Sequence, residues 1–446
     1  MMAELQPTHI YSKPAFDGVP PDDELLLAIH KYIGAYCDKY HRFAFDPANP
    51  AVRLHEPTFG ATEIVAAVDV LLSTRVTMGP KVRDFEREFA EAFTFAHGIT
   101  NNSGSSANLL AVSALCNVAT KNRLQPGDEV IVPALCWSTT VWPLIQHGLV
   151  PVIVDIDPAT FNIDPAEIER AIGPRTRAVM PVHVYGNPCN MAALSDICRR
   201  RDLILIEDCC EALGAYYDGI PVGKFGAVGT FSFYFSHHMT TLEGGICVTE
   251  SFELAEMIRI LRAHGWVREL REPQAFYERY PDIDRRFLFV NQGYNLRLTE
   301  LQAAFGLVQL PKLGGFVDAR RTNTTEWQGA LGRWSAFFHF QQETPKARSS
   351  CFGFPLVLKE DAPFRVADIT SFLNQANIET RPIICGNIAA QPAMHLYRHR
   401  VVGNLGHSSN VMERGFSFGN HQAVDEAARI YVTGKFEEFM KARGLA

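Results

Sequence analysis

Four apolar runs, at residues 129–133, 150–154, 178–182 and 203–206, are rich in Val, Ile and Leu and are separated by segments long enough for helices. Short apolar runs of this kind read as strands buried on both faces. Strands that alternate with helices give a mostly parallel sheet covered on both sides, an α/β architecture. Such sheets bind ligands beyond the carboxyl ends of their strands. The residues that follow those ends are Trp137, His183 and Asp208, so the chemistry is expected there.

The rest of the 446-residue chain is organised around this core. Residues 1–55 read as an N-terminal extension with a helix over 23–40, whose apolar face carries Leu25, Leu26, Ile29, Ile33 and Tyr36. Two further helices follow over 61–93, broken at Met78-Gly79-Pro80. Near residue 315 the composition shifts, through Pro311, Gly314 and Gly315, to a basic amphipathic stretch over 318–334. A small α/β unit with a strand at 354–358 and a helix at 366–374 comes after it. The expected division is therefore an extension (1–55), a large domain (56–315) and a small C-terminal domain (316–446).

A formal net charge of -7 leaves no basic footprint for nucleic acid. No stretch approaches the roughly 18 apolar residues of a membrane span, and residues 1–22 lack an apolar signal core, so a cytoplasmic enzyme is expected. The ten cysteines show neither a disulfide framework nor a C-x-x-C metal spacing, and reduced thiols are expected.

Several motifs carry chemistry. Asn102-Ser103-Gly104-Ser105-Ser106-Ala107-Asn108 places small hydroxyl residues just before an apolar helix, where free N–H groups favour a phosphate. Glu207-Asp208-Cys209-Cys210-Glu211 puts carboxylates at the end of a buried strand, a costly place unless a cation or strong donor pairs with them. Trp137 lies in Ala134-Leu135-Cys136-Trp137-Ser138-Thr139-Thr140, and Ser232 opens Ser232-Phe233-Tyr234-Phe235-Ser236-His237-His238 ahead of Glu243-Gly244-Gly245.

Together these segments resemble the DegT-type family of nucleotide-sugar aminotransferases, along nearly the whole chain beyond the extension. The resemblance implies a fold-type I, aspartate aminotransferase-like α/β fold and a pyridoxal phosphate (PLP) site. It assigns Gly104, Ser105, Ser106 and Ser232 to the cofactor phosphate, Asp208 to the pyridine nitrogen and Trp137 to a stack on the pyridine face. Glu211 is included among the cofactor-binding residues. Asn295, in Gly293-Tyr294-Asn295-Leu296-Arg297, matches an asparagine that reaches the phosphate of the neighbouring subunit, which implies a homodimer with shared sites.

Six residues before Glu243, where the family carries the lysine that tethers PLP as a Schiff base, this chain has His237. An imidazole shuttles protons and titrates near neutrality, but cannot form the tether. A small branch of the family shares this histidine. Its members are 3-dehydrases that use pyridoxamine phosphate (PMP) on nucleotide-linked 4-keto-6-deoxy sugars. Some of them carry an iron–sulfur cluster and need a reductase, but the stretch from Val248 to Ser350 contains no cysteine to hold one. The expectation is an untethered PLP/PMP enzyme that uses L-glutamate as amino donor, with His237 as catalytic base, and removes the C3 hydroxyl of a sugar such as GDP-4-keto-6-deoxy-D-mannose. A reductase-coupled dehydrase of CDP-linked sugars and a conventional aminotransferase are the alternatives.

Overall fold

The computed structural model describes residues 24–445. An eight-stranded sheet runs, in spatial order, His97–Asn101, Gly245–Thr249, Val228–Ser232, Ile204–Asp208, Thr176–Val179, Glu129–Pro133, Val150–Val154 and Arg400–Val401. Gly245–Thr249 is antiparallel to both neighbours, and every other pairing in the sheet is parallel. Glu129–Pro133 and Val150–Val154 are buried along their whole length, which explains their continuous apolar pattern.

Two expected strands have different limits. The run at 178–182 is a strand only over Thr176–Val179, because Pro181 has no N–H to donate. The chain rejoins the sheet in a single bridge from Val182 to Asp208. The run at 203–206 continues to Asp208, since residues 206–208 pair with 228–230 of a strand the hydropathy pattern does not reveal. That strand, Val228–Ser232, contains Gly229, where a Cβ would lie 2.4 Å from the Cα of Gly223. Close backbone approach, not apolarity, sets its composition.

The helix at the start of the chain spans Glu24–Tyr40. Asp23 and the rest of residues 1–23 of the extension lie outside the described residues. The expected apolar face is only partly covered: Leu26 and Ile33 are half-buried, Leu25, Ile29 and Tyr36 are exposed, and Cys37 is the buried position. The next two helices, Ala61–Ser73 and Pro80–Ala92, flank the Met78-Gly79-Pro80 break. The first turn of Pro80–Ala92 is capped from afar, as the Glu300 carboxylate accepts from the amides of Gly79, Lys81 and Val82 at 2.8–2.9 Å. A carboxylate there satisfies orphan donors and meets the positive end of the helix dipole.

A second, antiparallel sheet orders Phe338–Phe340, Phe354–Leu358, Gly415–Phe418 and Thr380–Arg381. Its own core holds Trp327, Phe354, Phe418 and Phe436. The helix Leu313–Leu331 crosses residue 315 and delivers Trp327 into that core, while Arg400–Val401 returns to the large sheet. Val52 bridges to Ile378 and joins the same core. Among the described residues, no helix is long and apolar enough to cross a membrane, and all ten cysteines are free.

Candidate active site

Beyond the carboxyl ends of the parallel strands lies a cavity of about 300 Å³. Its floor comes from the large sheet. Ser103 caps the helix Gly104–Cys116, its hydroxyl accepting from the Ser106 amide at 3.1 Å. Ser103, Gly104 and Ser105 line the cavity, with Ser232 beside them. A Cβ on Gly104 would sit 2.5 Å from Cβ of Ser232 and 3.1 Å from Sγ of Cys210. Glycine is therefore required for the helix N-terminus to close on the strand and form a cradle of amides and hydroxyls suited to a phosphate. Ser106 does not line the cavity; its hydroxyl stands 3.0 Å from that of Ser103.

Asp208, at the last position of its strand, is buried. One carboxylate oxygen accepts from Asn108 at 2.9 Å and Thr140 at 2.7 Å, and the other from the Cys210 amide at 3.2 Å. These donors fix the orientation of the carboxyl group at the cavity floor, where it can pair with a protonated ring nitrogen. Trp137 lines the same space at the start of the helix Ser138–Gln146 and is 59% exposed, so the chain leaves its ring face uncovered by any core. Phosphate cradle, anchored carboxylate and open indole face together fit a pyridoxal-type cofactor, whose chemistry is an electron sink attached to an amine or aldehyde.

His237 lines the cavity in the turn between Ser232 and Glu243. Its ring lies 5.0 Å from that of Phe352, and its Nδ1 is buried with no hydrogen-bond partner among the described residues. The expectation of titration near neutrality is not met. Burial pushes the imidazole down to about 3, against the Cys210 backbone, which favours the protonated form. Burial therefore favours the neutral imidazole, the form that can accept a proton.

Glu211 lines the cavity, accepting from the Tyr185 amide at 2.9 Å, and burial raises its carboxyl to about 7. The remaining candidates lie elsewhere. His183 faces away from the cavity: its Nδ1 accepts from the Cys189 amide at 3.0 Å and its Nε2 meets Glu207 at 3.3 Å, inside the core. Glu207 also accepts from the amides of Gly223, Phe225 and Gly226, so this pair braces the sheet. Asn295 does not reach this chain's cavity; it is exposed and accepts from Arg297 at 3.0 Å.

Residues without a site signal in the sequence complete the wall, chiefly Tyr234, Phe352, Arg381 and Ile384. Three of them come from the C-terminal part of the chain, far in sequence from the other lining residues. The Arg262-Ala263-His264-Gly265-Trp266 segment has a structural role. Buried Arg262 donates to the Thr100 carbonyl at 2.8 Å and pairs with Glu86, fixing the strand that leads into the phosphate cradle.

Comparison with known proteins bears on this arrangement. Residues 57–437 match the DegT/DnrJ/EryC1/StrS aminotransferase family. A GDP-4-keto-6-deoxy-D-mannose 3-dehydratase from Yersinia pseudotuberculosis is 38% identical over 372 residues, covering 83% of this chain and 94% of the relative. The E. coli GDP-4-keto-6-deoxy-D-mannose-3-dehydratase with bound hydrated PLP superposes with a TM-score of 0.80 at 36% identity, covering 86% of this chain and 98% of that one. A structure of GDP-4-keto-6-deoxymannose-3-dehydratase with a trapped PLP–glutamate geminal diamine gives 0.79 at 36%, covering 86% and 99%. With a family match that spans most of its length, an α/β fold shared with solved members and a cavity that fits their cofactor, the chain belongs to the DegT/DnrJ/EryC1/StrS aminotransferase family.

Proposed function

We infer that the chain is a PLP/PMP-dependent C3 dehydratase of a nucleotide-linked 4-keto-6-deoxy sugar, GDP-4-keto-6-deoxy-D-mannose, with L-glutamate as amino donor. The observation that carries the reading is His237, an imidazole in the cavity whose buried Nδ1 has no partner among the described residues, at the position of the family's tethering lysine. The similar dehydratases, one with bound hydrated PLP and one with a PLP–glutamate adduct, support the cofactor and the donor. When bound, the cofactor supplies an amine for the sugar's C4 ketone and a ring that stores electrons.

The chain's own groups then divide the work. Gly104, Ser105 and Ser232, with Ser103 beside them, hold the phosphate, and Trp137 packs on the ring, a contact worth about 1 kcal/mol beyond its area. Asp208, held in place by Asn108 and Thr140, pairs with the ring nitrogen. His237 takes a proton at an imidazole nitrogen and can return it to the departing C3 hydroxyl, which an untethered cofactor leaves it free to do. Asn295, exposed on this chain, is offered to a second copy, which supports a homodimer. The separate core around Trp327 supports a small C-terminal domain over 316–446 beside a cofactor domain over 56–315, and a cytoplasmic location accords with sugar-nucleotide chemistry.

Product analysis by NMR and mass spectrometry, with glutamate and a 4-keto-6-deoxy sugar nucleotide, tests the reading. Release of the 3-deoxy-4-keto sugar and ammonia without a reductase is expected. An amino sugar as main product would overturn it in favour of an aminotransferase.

A further inference from the structure

The turn that presents His237 has little of its own to hold it. Among the described residues, the backbone of residues 234–237 makes one backbone hydrogen bond, from the His237 amide to the Tyr234 carbonyl at 2.9 Å. Tyr234 and Phe235 belong to none of the hydrophobic cores. What the turn does have is a series of rings. Tyr234 stands edge to face against His237, with centroids 6.3 Å apart at 80°, and Phe235 against Tyr234 at 4.6 Å and 76°. The series continues outside the turn, for the His55 ring meets Phe235 at 4.3 Å and 85°. Near-perpendicular contacts at such separations are the arrangement that ring quadrupoles favour.

His55 is the last residue of the N-terminal extension, and its backbone is fastened on both sides. The Arg53 carbonyl accepts from His421 at 3.1 Å, the Leu54 amide donates to Glu379 at 2.9 Å, and Gln422 donates to the carbonyls of Glu56 and Pro57, each at 3.2 Å. These partners all come from the C-terminal part of the chain. Three residues on, the Thr58 hydroxyl donates at 2.7 Å to the side-chain oxygen of Gln309, which also accepts from the Thr240 amide at 3.3 Å. Residues 53–58 therefore form a strap that meets the catalytic turn twice, directly at Phe235 and through Gln309 at Thr240. Burial lowers the His55 imidazole from its ordinary value, which favours the neutral ring.

A base works only where its nitrogen is held against the departing proton, and a misplacement of about 1 Å costs on the order of 100-fold in rate. His237 has no hydrogen-bond partner at Nδ1 among the described residues, so its aim depends largely on the turn that carries it. His55 is not among the residues that line the cavity. Resting on the reading of His237 as the base, we propose that His55 is a positioning residue. Through Phe235 and Tyr234 it holds the turn at the angle that aims the His237 imidazole into the cavity, and it touches neither substrate nor cofactor.

Wild type, His55→Ala and His55→Phe are preloaded with PMP and given a GDP-linked 4-keto-6-deoxy sugar for a single turnover, with PLP affinity and thermal midpoint measured alongside. His55→Ala is expected to slow the turnover at saturating sugar by about tenfold or more. The half-saturating sugar concentration and the PLP affinity should stay within about twofold of wild type. His55→Phe keeps a ring on Phe235 and removes both ring nitrogens, and it is expected to recover most of the rate. A wild-type rate in His55→Ala, or a His55→Phe variant as slow as His55→Ala, overturns the proposal. So does a raised half-saturating concentration at unchanged rate, which marks a substrate contact, or a matching loss of PLP affinity and thermal midpoint in both variants, which marks a support of the fold alone. If preloaded wild type fails to deoxygenate the sugar, the dehydratase reading falls. Conversion of PLP to PMP by glutamate also needs a base at the cofactor, and the same ordering of rates in that step, followed by absorbance, then decides the role of His55.

Discussion

The floor of the cavity is built from residues 103–108, 137–140, 208–211 and 232, all on or next to strands of the large sheet, and its polar groups hold one another. Asp208 has three protein donors, and Ser103 caps its own helix. The facing wall adds Phe352, Arg381 and Ile384 from the C-terminal part of the chain, with His237 from the turn after Ser232, and there groups are left less satisfied: Arg381 has no carboxylate ion pair among the described residues, and His237 no Nδ1 partner. The contrast teaches a division of labour. A cofactor that stays bound is met by a preorganised, satisfied floor, whereas substrates that come and go are met by groups that complete their bonds only when a ligand arrives.

Breaking the wall at its base is expected to have the largest effect. His237→Lys restores the amine that tethers the cofactor and removes the untethered proton shuttle. C3 dehydration should fall by about 10²–10⁴-fold, the range for loss of a positioned acid–base group. Borohydride trapping of the cofactor on the protein, with the rate of product formation, checks both halves; retention of full dehydratase activity would show that His237 lacks the role given to it.

Breaking the floor should cost less and act on binding. Gly104→Ala forces a methyl to within 2.5 Å of Ser232, where overpacking costs about 1–3 kcal/mol. PLP affinity should weaken correspondingly, by up to roughly 100-fold. Titration of the variant with PLP measures this, and wild-type affinity would mean that the cradle is not the phosphate site.

The smallest effect is expected where floor and wall meet, at Glu211. With its carboxyl raised to about 7 by burial, Glu211 is neutral below that pH and anionic above it. An added negative charge near Arg381 opposes binding of an anionic donor, so glutamate affinity should decline as pH rises through about 7. Glu211→Gln should flatten that limb, with less than about a tenfold change at pH 6. A KM-versus-pH profile in which the variant keeps the wild-type decline would remove Glu211 from the account.

The legible part of this molecule is the part made by local sequence. The strands Glu129–Pro133 and Val150–Val154 announce themselves because burial on both faces demands an unbroken apolar run, and Gly104, Asp208 and His237 stand in compact motifs around such strands. His183 misled because the same strand-end position can point into the core as readily as into the cavity. Val228–Ser232 and Gly245–Thr249 were hidden because close packing requires glycine where a strand pattern would show a branched side chain.

By itself, then, the sequence determined the α/β plan, the glycine–serine start of the helix Gly104–Cys116 and a histidine where the family has its tethering lysine, since each depends on residues a few positions apart. The tertiary structure alone decided the burial of His237, which pushes its imidazole down and which no neighbouring residue predicts, and the approach of Phe352 to both His237 and Arg381. Those depend on how the second sheet closes over the first, a contact between segments more than a hundred residues apart that no local period encodes.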